Sequence, residues 1–283
     1  MPPQQFWLAT IDRCDSRYNV VSSLSRLYDF ALCGYSLGVT PRDKWAIFWK
    51  ETKNIRVRFG LDKHHPDEVY PLDTIYGKLY FRDNFGDITN LPNIYFRQVY
   101  SVQKLHREGV VLDIGANIGL VAALIAYYNP GVQIHCFDPL ADNVRMVRMN
   151  CPSARINQVA LGAERSQIAF KVDQNNVMAS QISRPLDTHD ELFDVMTLDA
   201  YVQEKGISEV ALIKIDAEGM ELEILNGAAE TLGKTWRVVM ETHGYDRHQA
   251  SINKLEAAGF VIEDAPFTES TGMVYAMKNE LKK

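Results

Sequence analysis

The sequence predicts an α/β protein: a mostly parallel, seven-stranded sheet closed by a C-terminal antiparallel hairpin, preceded by a mainly helical N-terminal cap. Three observations carry this. From Gly109 onward, short runs rich in β-branched residues alternate with helical patterns; a glycine turn, "DIGANIG", joins the first run to the first helix; and only "TEST" separates the last two runs. A parallel pair needs a long crossover, and a helix is the economical one, whereas four residues suffice only for a hairpin. The expected division is residues 1–108 for the cap and 109–283 for the sheet domain.

Taken in order, the N-terminal part reads as helical through Trp49, then as extended pieces "NIRVRFG" and "GKLYFRDN", then as a helix over "IYFRQVYSVQKLHREG". Phe6, Trp7, Tyr28, Phe30, Tyr35, Trp45, Phe48 and Trp49 make it aromatic-rich, which suits the core of a helical cap or the wall of an acceptor pocket. Oligomerisation is a further role open to this part. The strands expected after it are "VVLDIG", "VQIHCFDP", "ARINQVAL", "EVALIKID", "WRVVMETH", "GFVIEDAPF" and "GMVYAMK", each bounded by Gly, Pro, Asn or Asp. The helices are "IGLVAALIAYY", "ADNVRMVRMN" and "GMELEILNGAAETLG", the last ending near Gly233. The polar stretch Asp173 to Asp194 is long enough to form a lid.

Composition bounds the function. With 283 residues, 46% of them hydrophobic and 23% charged, the chain buries a full core as one large domain or two modest ones. A net charge of -6 argues against a nucleic-acid backbone or an anionic membrane as main partner. Cys14, Cys33, Cys136 and Cys151 show no zinc spacing and read as reduced thiols. The start lacks the basic and apolar regions of a signal peptide, no Asn-x-Ser/Thr acceptor occurs, and the run "LYDFALCGYSLGV" is shorter than the ~20 residues of a spanning helix. A cytoplasmic protein with no transmembrane segment is the expectation.

The glycine turn points to a nucleotide site. Gly115 and Gly119 fall where a strand feeds straight into a helix, so the backbone turns sharply and approaches a ligand without Cβ interference. The pattern is Asp-x-Gly-x-x-x-Gly with Asp113 at the strand end, not the Gly-x-Gly-x-x-Gly that seats a diphosphate. An aspartate there suits the cationic sulfonium and ammonium of S-adenosylmethionine. The second strand ends in Asp138, placed to accept from a ribose diol, as it would also do for a nicotinamide dinucleotide. The strand "LIKID" ends in Asp216, with Glu218 two residues on, and "WRVVMETH" delivers Glu241 and His243. In open α/β sheets the crevice lies at the carboxyl ends of the strands, so Asp113, Asp138, Asp216 and Glu241 are expected to converge there. Lys214, inside a buried strand, calls for an ion pair with a neighbouring carboxylate.

"VLDIGANIG", "CFDP", "VALG", "TLDAY", "LIKIDAEGMELEILNGA" and "VVMETHG", in this order and spacing, resemble the FkbM-family S-adenosylmethionine-dependent methyltransferases from about Gly109 to Met277. The resemblance implies a Rossmann-like methyltransferase fold and methyl transfer to a hydroxyl on a sugar, glycan or polyketide-type small molecule. It carries cofactor contacts onto Asp113, Gly115, Ala116, Asn117, Gly119, Asp138, Ala160 and Asp216. Asp138 stands where the family more often has Glu, which shortens reach. For catalysis, His243 titrates near neutrality and is expected as the base, with Glu241 orienting it or the acceptor and Asp216 beside them. The alternative is a divalent cation held by Asp216, Glu241 and His243, which the sequence allows but does not require.

Rival readings are weaker. A nicotinamide-dependent oxidoreductase is disfavoured by the glycine pattern and the terminal hairpin, and a catalytically inactive adenosine-binding module by the acidic residues and His243. "GYSLG" matches a nucleophile elbow, but helical spacing precedes Ser36 where a strand is required. In "DKHHPDE" the adjacent His64 and His65 and the turn at Pro66 favour a solvated loop over a metal site.

Overall fold

The computed structural model describes residues 20–105, 107–173, 178–181 and 191–279. The chain divides into two compact units, with the break between Ser101 and Val102. In the first unit, α1 (Val20–Leu37) and α2 (Pro41–Arg58) precede a hairpin of β1 (His65–Thr74) and β2 (Gly77–Asp83), the short α3 (Phe85–Thr89) and a single π turn, Pro92–Phe96. Thr40 and Asp43 form a capping box at the start of α2, with Pro41 in the first turn. Helix propagation from that start carries through "NIRVR", so the stretch expected to be extended is helical. Only the π turn remains of the helix expected over "IYFRQVYSVQKLHREG", since Gln98 and Ser101 adopt positive φ. His65 begins a strand instead of lying in a loop.

The aromatic residues of this unit also differ from a simple core reading. Phe30 is buried, but Tyr28 and Tyr35 of α1 are exposed, as are Trp45 and Trp49 of α2, which turns Ile47, Glu51 and Asn54 inward instead. The "GYSLG" glycines serve helix packing: a Cβ on Gly34 would lie 2.4 Å from the Lys44 carbonyl oxygen, and one on Gly38 2.5 Å from the Lys44 nitrogen.

The second unit runs β3 (Val110–Ile114), α4 (Leu120–Tyr128), β4 (Ile134–Phe137), α5 (Ala141–Asn150), β5 (Arg155–Asn157), β6 (Ala160–Leu161), β7 (Ser166–Asp173), β8 (Met178–Gln181), β9 (Glu191–Met196), α6 (Leu198–Glu204), β10 (Val210–Ile215), α7 (Glu221–Asn226), α8 (Ala229–Gly233), β11 (Thr235–His243), α9 (Tyr245–Ala257), β12 (Phe260–Asp264), β13 (Phe267–Thr268) and β14 (Thr271–Lys278). The main sheet has the order β12-β14-β11-β10-β3-β4-β5, with β13 added to β14. In it β11, β10, β3, β4 and β5 are parallel, and β14 runs antiparallel to both β11 and β12. All six residues of β10 and all four of β4 are buried, as expected of parallel strands covered on both faces.

One expectation needs correction here. "ARINQVAL" is not one strand: β5 joins the main sheet, while β6 joins a separate four-stranded sheet of order β6-β9-β7-β8. The stretch expected to form a lid contributes β8 and the start of β9 to that second sheet, and its residues 174–177 and 182–190 lie outside the described residues. Among the described residues, Cys33, Cys136 and Cys151 are free and buried, and no helix is long and apolar enough to cross a membrane.

Candidate active site

The strand order reverses direction between β3 and β10, which puts a topological switch point at their carboxyl ends. Asp216 N–H donates to the Ile114 carbonyl at 3.1 Å, so the two strand ends are tied together. Gly115 has φ of +68°, and a Cβ there would sit 1.7 Å from the Asp216 carbonyl oxygen. Gly115 is therefore required by the approach of the two strands themselves, not only by a ligand. The Gly115 and Ala116 N–H groups donate to the Phe137 carbonyl at 3.0 and 3.1 Å. Gly119, at φ +82°, starts α4 and lets it approach α5, since a Cβ would lie 3.1 Å from Val147 Cα.

Beneath this turn, the wholly buried Asp113 pairs with Lys214 at 3.2 Å, the ion pair that Lys214 called for. Lys214 Nζ also donates to the Gly115 carbonyl at 2.7 Å. Burial pushes the Asp113 carboxyl up, against the lowering effect of Lys214. Burial works against the charge on Lys214 too, but Asp113 and Asp216 outweigh it and its pKa is raised. Asp138, 5% exposed, accepts from the Asn117 N–H at 2.9 Å, the Leu140 N–H at 3.0 Å and the Asn143 amide at 3.1 Å. Burial lifts it to about 6 despite those hydrogen bonds. Asn117 is left-handed, at φ 49°, and its Oδ1 is buried with no hydrogen-bond partner.

The second half of the site follows β10 and ends β11. Asp216, Glu218 and His243 each offer a ligand atom, and the three atoms lie within 4.8 Å of one another. Glu218 adopts φ 48°, a left-handed conformation that an L side chain adopts only under strain. Its Oε2 is 3.5 Å from His243 Nε2, while His243 Nδ1 bonds Glu221 Oε1 at 2.8 Å. Glu221, fully buried at the start of α7, also accepts from the Gly219 N–H at 2.8 Å. Burial, then the charge of Asp216, raises Glu218 to about 7 and Glu241 to about 8. Burial alone would lower the His243 imidazole, but the hydrogen bond it donates to Glu221 and the charges of Glu221, Glu218 and Glu241 hold it at about 9.

Of the sequence-expected residues, Asp216, Glu241 and His243 meet at one edge, together with Glu218. Asp113, Gly115, Ala116, Asn117, Gly119 and Asp138 form the turn and its buried supports. Ala160 is buried in β6, paired with Val195. The expectation that His243 titrates near neutrality is corrected: its carboxylate neighbours keep it charged there. Glu221, not Glu241, makes the hydrogen bond to its ring. Glu221 was missed, hidden among the alternating residues of "MELEIL"; its position three residues after Glu218, where a helix opens beside a strand end, was the available signal.

The strand order, with an antiparallel β14 inserted between β11 and β12, and the glycine turn at the switch point are those of the Rossmann-like methyltransferase fold. The family profile described as the methyltransferase FkbM domain matches residues 113–262, and the chain belongs to that family. The chain is 24% identical over 196 residues to the 31-O-demethyl-FK506 methyltransferase FkbM of Streptomyces tacrolimicus, covering 53% of this chain and 74% of that one. It is 26% identical over 184 residues to the 2-O-methyltransferase NoeI of Sinorhizobium fredii, covering 55% and 76%. Similarity to the AMB antimetabolite synthetase AmbE of Pseudomonas aeruginosa, 28% over 194 residues, covers 53% of this chain but only 9% of that much longer protein. Among solved structures, a SAM-dependent methyltransferase from Agrobacterium tumefaciens aligns with a TM-score of 0.45 at 10% identity, over 76% of this chain and 72% of that one.

Proposed function

We propose that this protein transfers the methyl group of S-adenosylmethionine to a hydroxyl of a small molecule of the sugar, glycan or natural-product type. The observation that carries the reading is the meeting of the glycine turn with Asp216, Glu218, Glu241 and His243 at the switch point. The names of the FkbM and NoeI relatives, both of which place a methyl group on oxygen, support an oxygen acceptor.

The residues present fit the cofactor. A buried acceptor without a partner, Asn117 Oδ1, lies in the turn, and the neighbouring carboxylates suit a ligand carrying a sulfonium and an ammonium. Gly115, Ala116, Asn117 and Gly119 would shape its seat, Asp138 would take the ribose diol, Ala160 would lie along it and Asp216 would face its cationic end. Asp113 acts from below, through Lys214 and the Gly115 carbonyl. When bound, the cofactor supplies a methyl carbon whose bond to sulfur breaks with the electron pair left on sulfur, as the bond to the acceptor oxygen forms.

The chain's own task is to align the acceptor oxygen and remove its proton. Glu241 is our proton acceptor: burial and the charge of Asp216 make its carboxylate a stronger base than a free one, and because they hold it protonated below about 8, its action as a base should rise with pH through that value. His243, its ring fixed by Glu221, and Asp216 position the acceptor. Calorimetry should show binding of S-adenosylmethionine and S-adenosylhomocysteine but not NAD. Labelled S-adenosylmethionine incubated with a metabolite extract should yield a labelled product identifiable by mass spectrometry. Tight NAD binding, or cofactor binding with no acceptor methylated by any extract, would sink the reading.

A further inference from the structure

Methyl transfer to oxygen does not by itself require a metal, yet the chain assembles a ligand set beside its proposed acceptor site. We propose that Asp216, Glu218 and His243 bind one divalent transition-metal ion, for which Mn²⁺ is the probe. The inference rests on the functional reading only for what the ion would do, not for whether it binds.

The geometry is that of an open metal centre. The three donor atoms lie within 4.8 Å of one another, and His243 Nε2 and Glu218 Oε2 are 3.5 Å apart. Donors around an octahedral ion with bonds of about 2.1 Å sit about 3 Å apart when adjacent and about 4 Å when opposite. The set therefore closes on an ion with small side-chain movements. Two carboxylate oxygens and an imidazole nitrogen favour a first-row transition metal over calcium, whose sites are all oxygen. The Glu218 and His243 side chains keep 36% and 25% of their surface exposed, leaving positions for water or an acceptor oxygen.

Glu221 is the independent observation. Its side chain is 1% exposed, and its Oε1 bonds His243 Nδ1 at 2.8 Å, which fixes the ring with Nε2 turned toward Glu218. This carboxylate–imidazole arrangement commonly stands behind a histidine ligand. The second oxygen of the same buried carboxylate, Oε2, has no hydrogen-bond partner. With Nδ1–H held by this buried carboxylate, Nε2 is the ring atom presented to a cation on the far side, where it would ligate in place of bearing a proton. The ion would hold an acceptor hydroxyl and make its proton easier to remove, with Glu241 receiving that proton. Glu221 touches no ion in this scheme and is a positioning residue.

Mn²⁺ titrated into the full chain without cofactor, followed by calorimetry and by loss of the free-ion electron paramagnetic resonance signal, is expected to show one saturable site. Glu218→Gln and His243→Gln should each weaken it more than ~10-fold, and Glu221→Gln by ~10–100-fold. Glu223→Gln, at a carboxylate paired with Arg247, should leave it unchanged. Absence of saturable uptake, or equal uptake by folded Glu218→Gln and His243→Gln variants, overturns the proposal. Should His243→Gln fail to fold, Glu218→Gln decides, since its side chain is partly exposed. S-adenosylmethionine titrated into the same samples separates the two readings. Cofactor binding without Mn²⁺ binding removes the metal site alone, and Mn²⁺ binding without cofactor binding removes the methyltransferase reading alone.

Discussion

Asp113 and Asp138 on one side of the switch point, and Asp216, Glu218 and Glu241 on the other, are the same chemical type near the same edge of one sheet, yet their surroundings differ. The first pair is sealed: Lys214 sits against Asp113, and two backbone N–H groups and the Asn143 amide satisfy Asp138. In the second group, burial and the mutual repulsion of Asp216, Glu218 and Glu241 outweigh the lowering effects of His243 and Lys214, and Glu218 and Glu241 are lifted well above ordinary carboxylate values. Sealed carboxylates hold the turn in shape. Unsealed ones retain interaction energy for something that arrives, which is where function concentrates.

The comparison predicts that breaking the sealed side damages the fold and breaking the open side damages turnover. The largest effect is expected from Gly115→Ala, because its Cβ would be driven into the Asp216 carbonyl. The loss should reach about 4 kcal/mol or more in denaturant unfolding, or the chain should fail to fold. A stable, fully cofactor-binding variant would mean that the two strand ends are not held together as described. Next comes Lys214→Met, which leaves Asp113 buried without a counter-charge and should lose about 3–5 kcal/mol. The double variant Asp113→Leu with Lys214→Met should recover most of that loss, and no recovery would show that the pair does more than neutralise itself.

On the open side, Glu241→Gln should lower turnover by ~10²–10⁴-fold while cofactor affinity, read by calorimetry, stays nearly intact. Equal turnover in variant and parent would remove Glu241 as the base. Between the two sides stands Asp138, sealed but expected to meet the ribose. Asp138→Ala should weaken S-adenosylmethionine binding by roughly ten- to a hundred-fold, the equivalent of about 1.5–3 kcal/mol.

The least localised effect is in pH dependence. His135 in β4, hydrogen-bonded to the Tyr201 hydroxyl at 3.0 Å, is lowered to about 4, chiefly by burial. Its folded pKa lies below the unfolded value, so its contribution is present above about 6.5 and lost as pH falls through 4. Asp138 acts oppositely: raised to about 6, it contributes below its unfolded value near 3.8 and loses that contribution as pH rises through 6. His135→Gln should therefore flatten the fall in stability between pH 6.5 and 4, by at most about 1.4 kcal/mol per pH unit. An unchanged slope would mean that His135 does not govern acid sensitivity here.

Much of this arrangement was legible in the chain. The glycine turn, the acidic ends of β4 and β10 and the hairpin after β12 are local patterns with few alternatives, and they fixed the sheet and the edge at which the site stands. The second sheet was not legible, because "ARINQVAL" is one apolar run that two sheets share, and β7 to β9 lie in polar sequence whose pairing is set by partners distant along the chain. "NIRVRFG" misled for a related reason: β-branched residues favour a strand locally, but a well-capped helix already under way carried through them.

What the sequence determined by itself was the alternation of β3, β4, β10 and β11 with helices, the position of the turn and the identity of the side chains at the strand ends, since these depend on periodicity and on nearest neighbours. Only the tertiary structure decided which carboxylates are sealed and which are open, that Gly115 answers to the Asp216 carbonyl, and that Glu221 stands behind His243. Those outcomes depend on burial and on distances between segments far apart in the chain, as between Asp113 and Lys214 or Glu221 and His243. A charge's environment is set by everything packed around it, and that packing exists only once the strands have met.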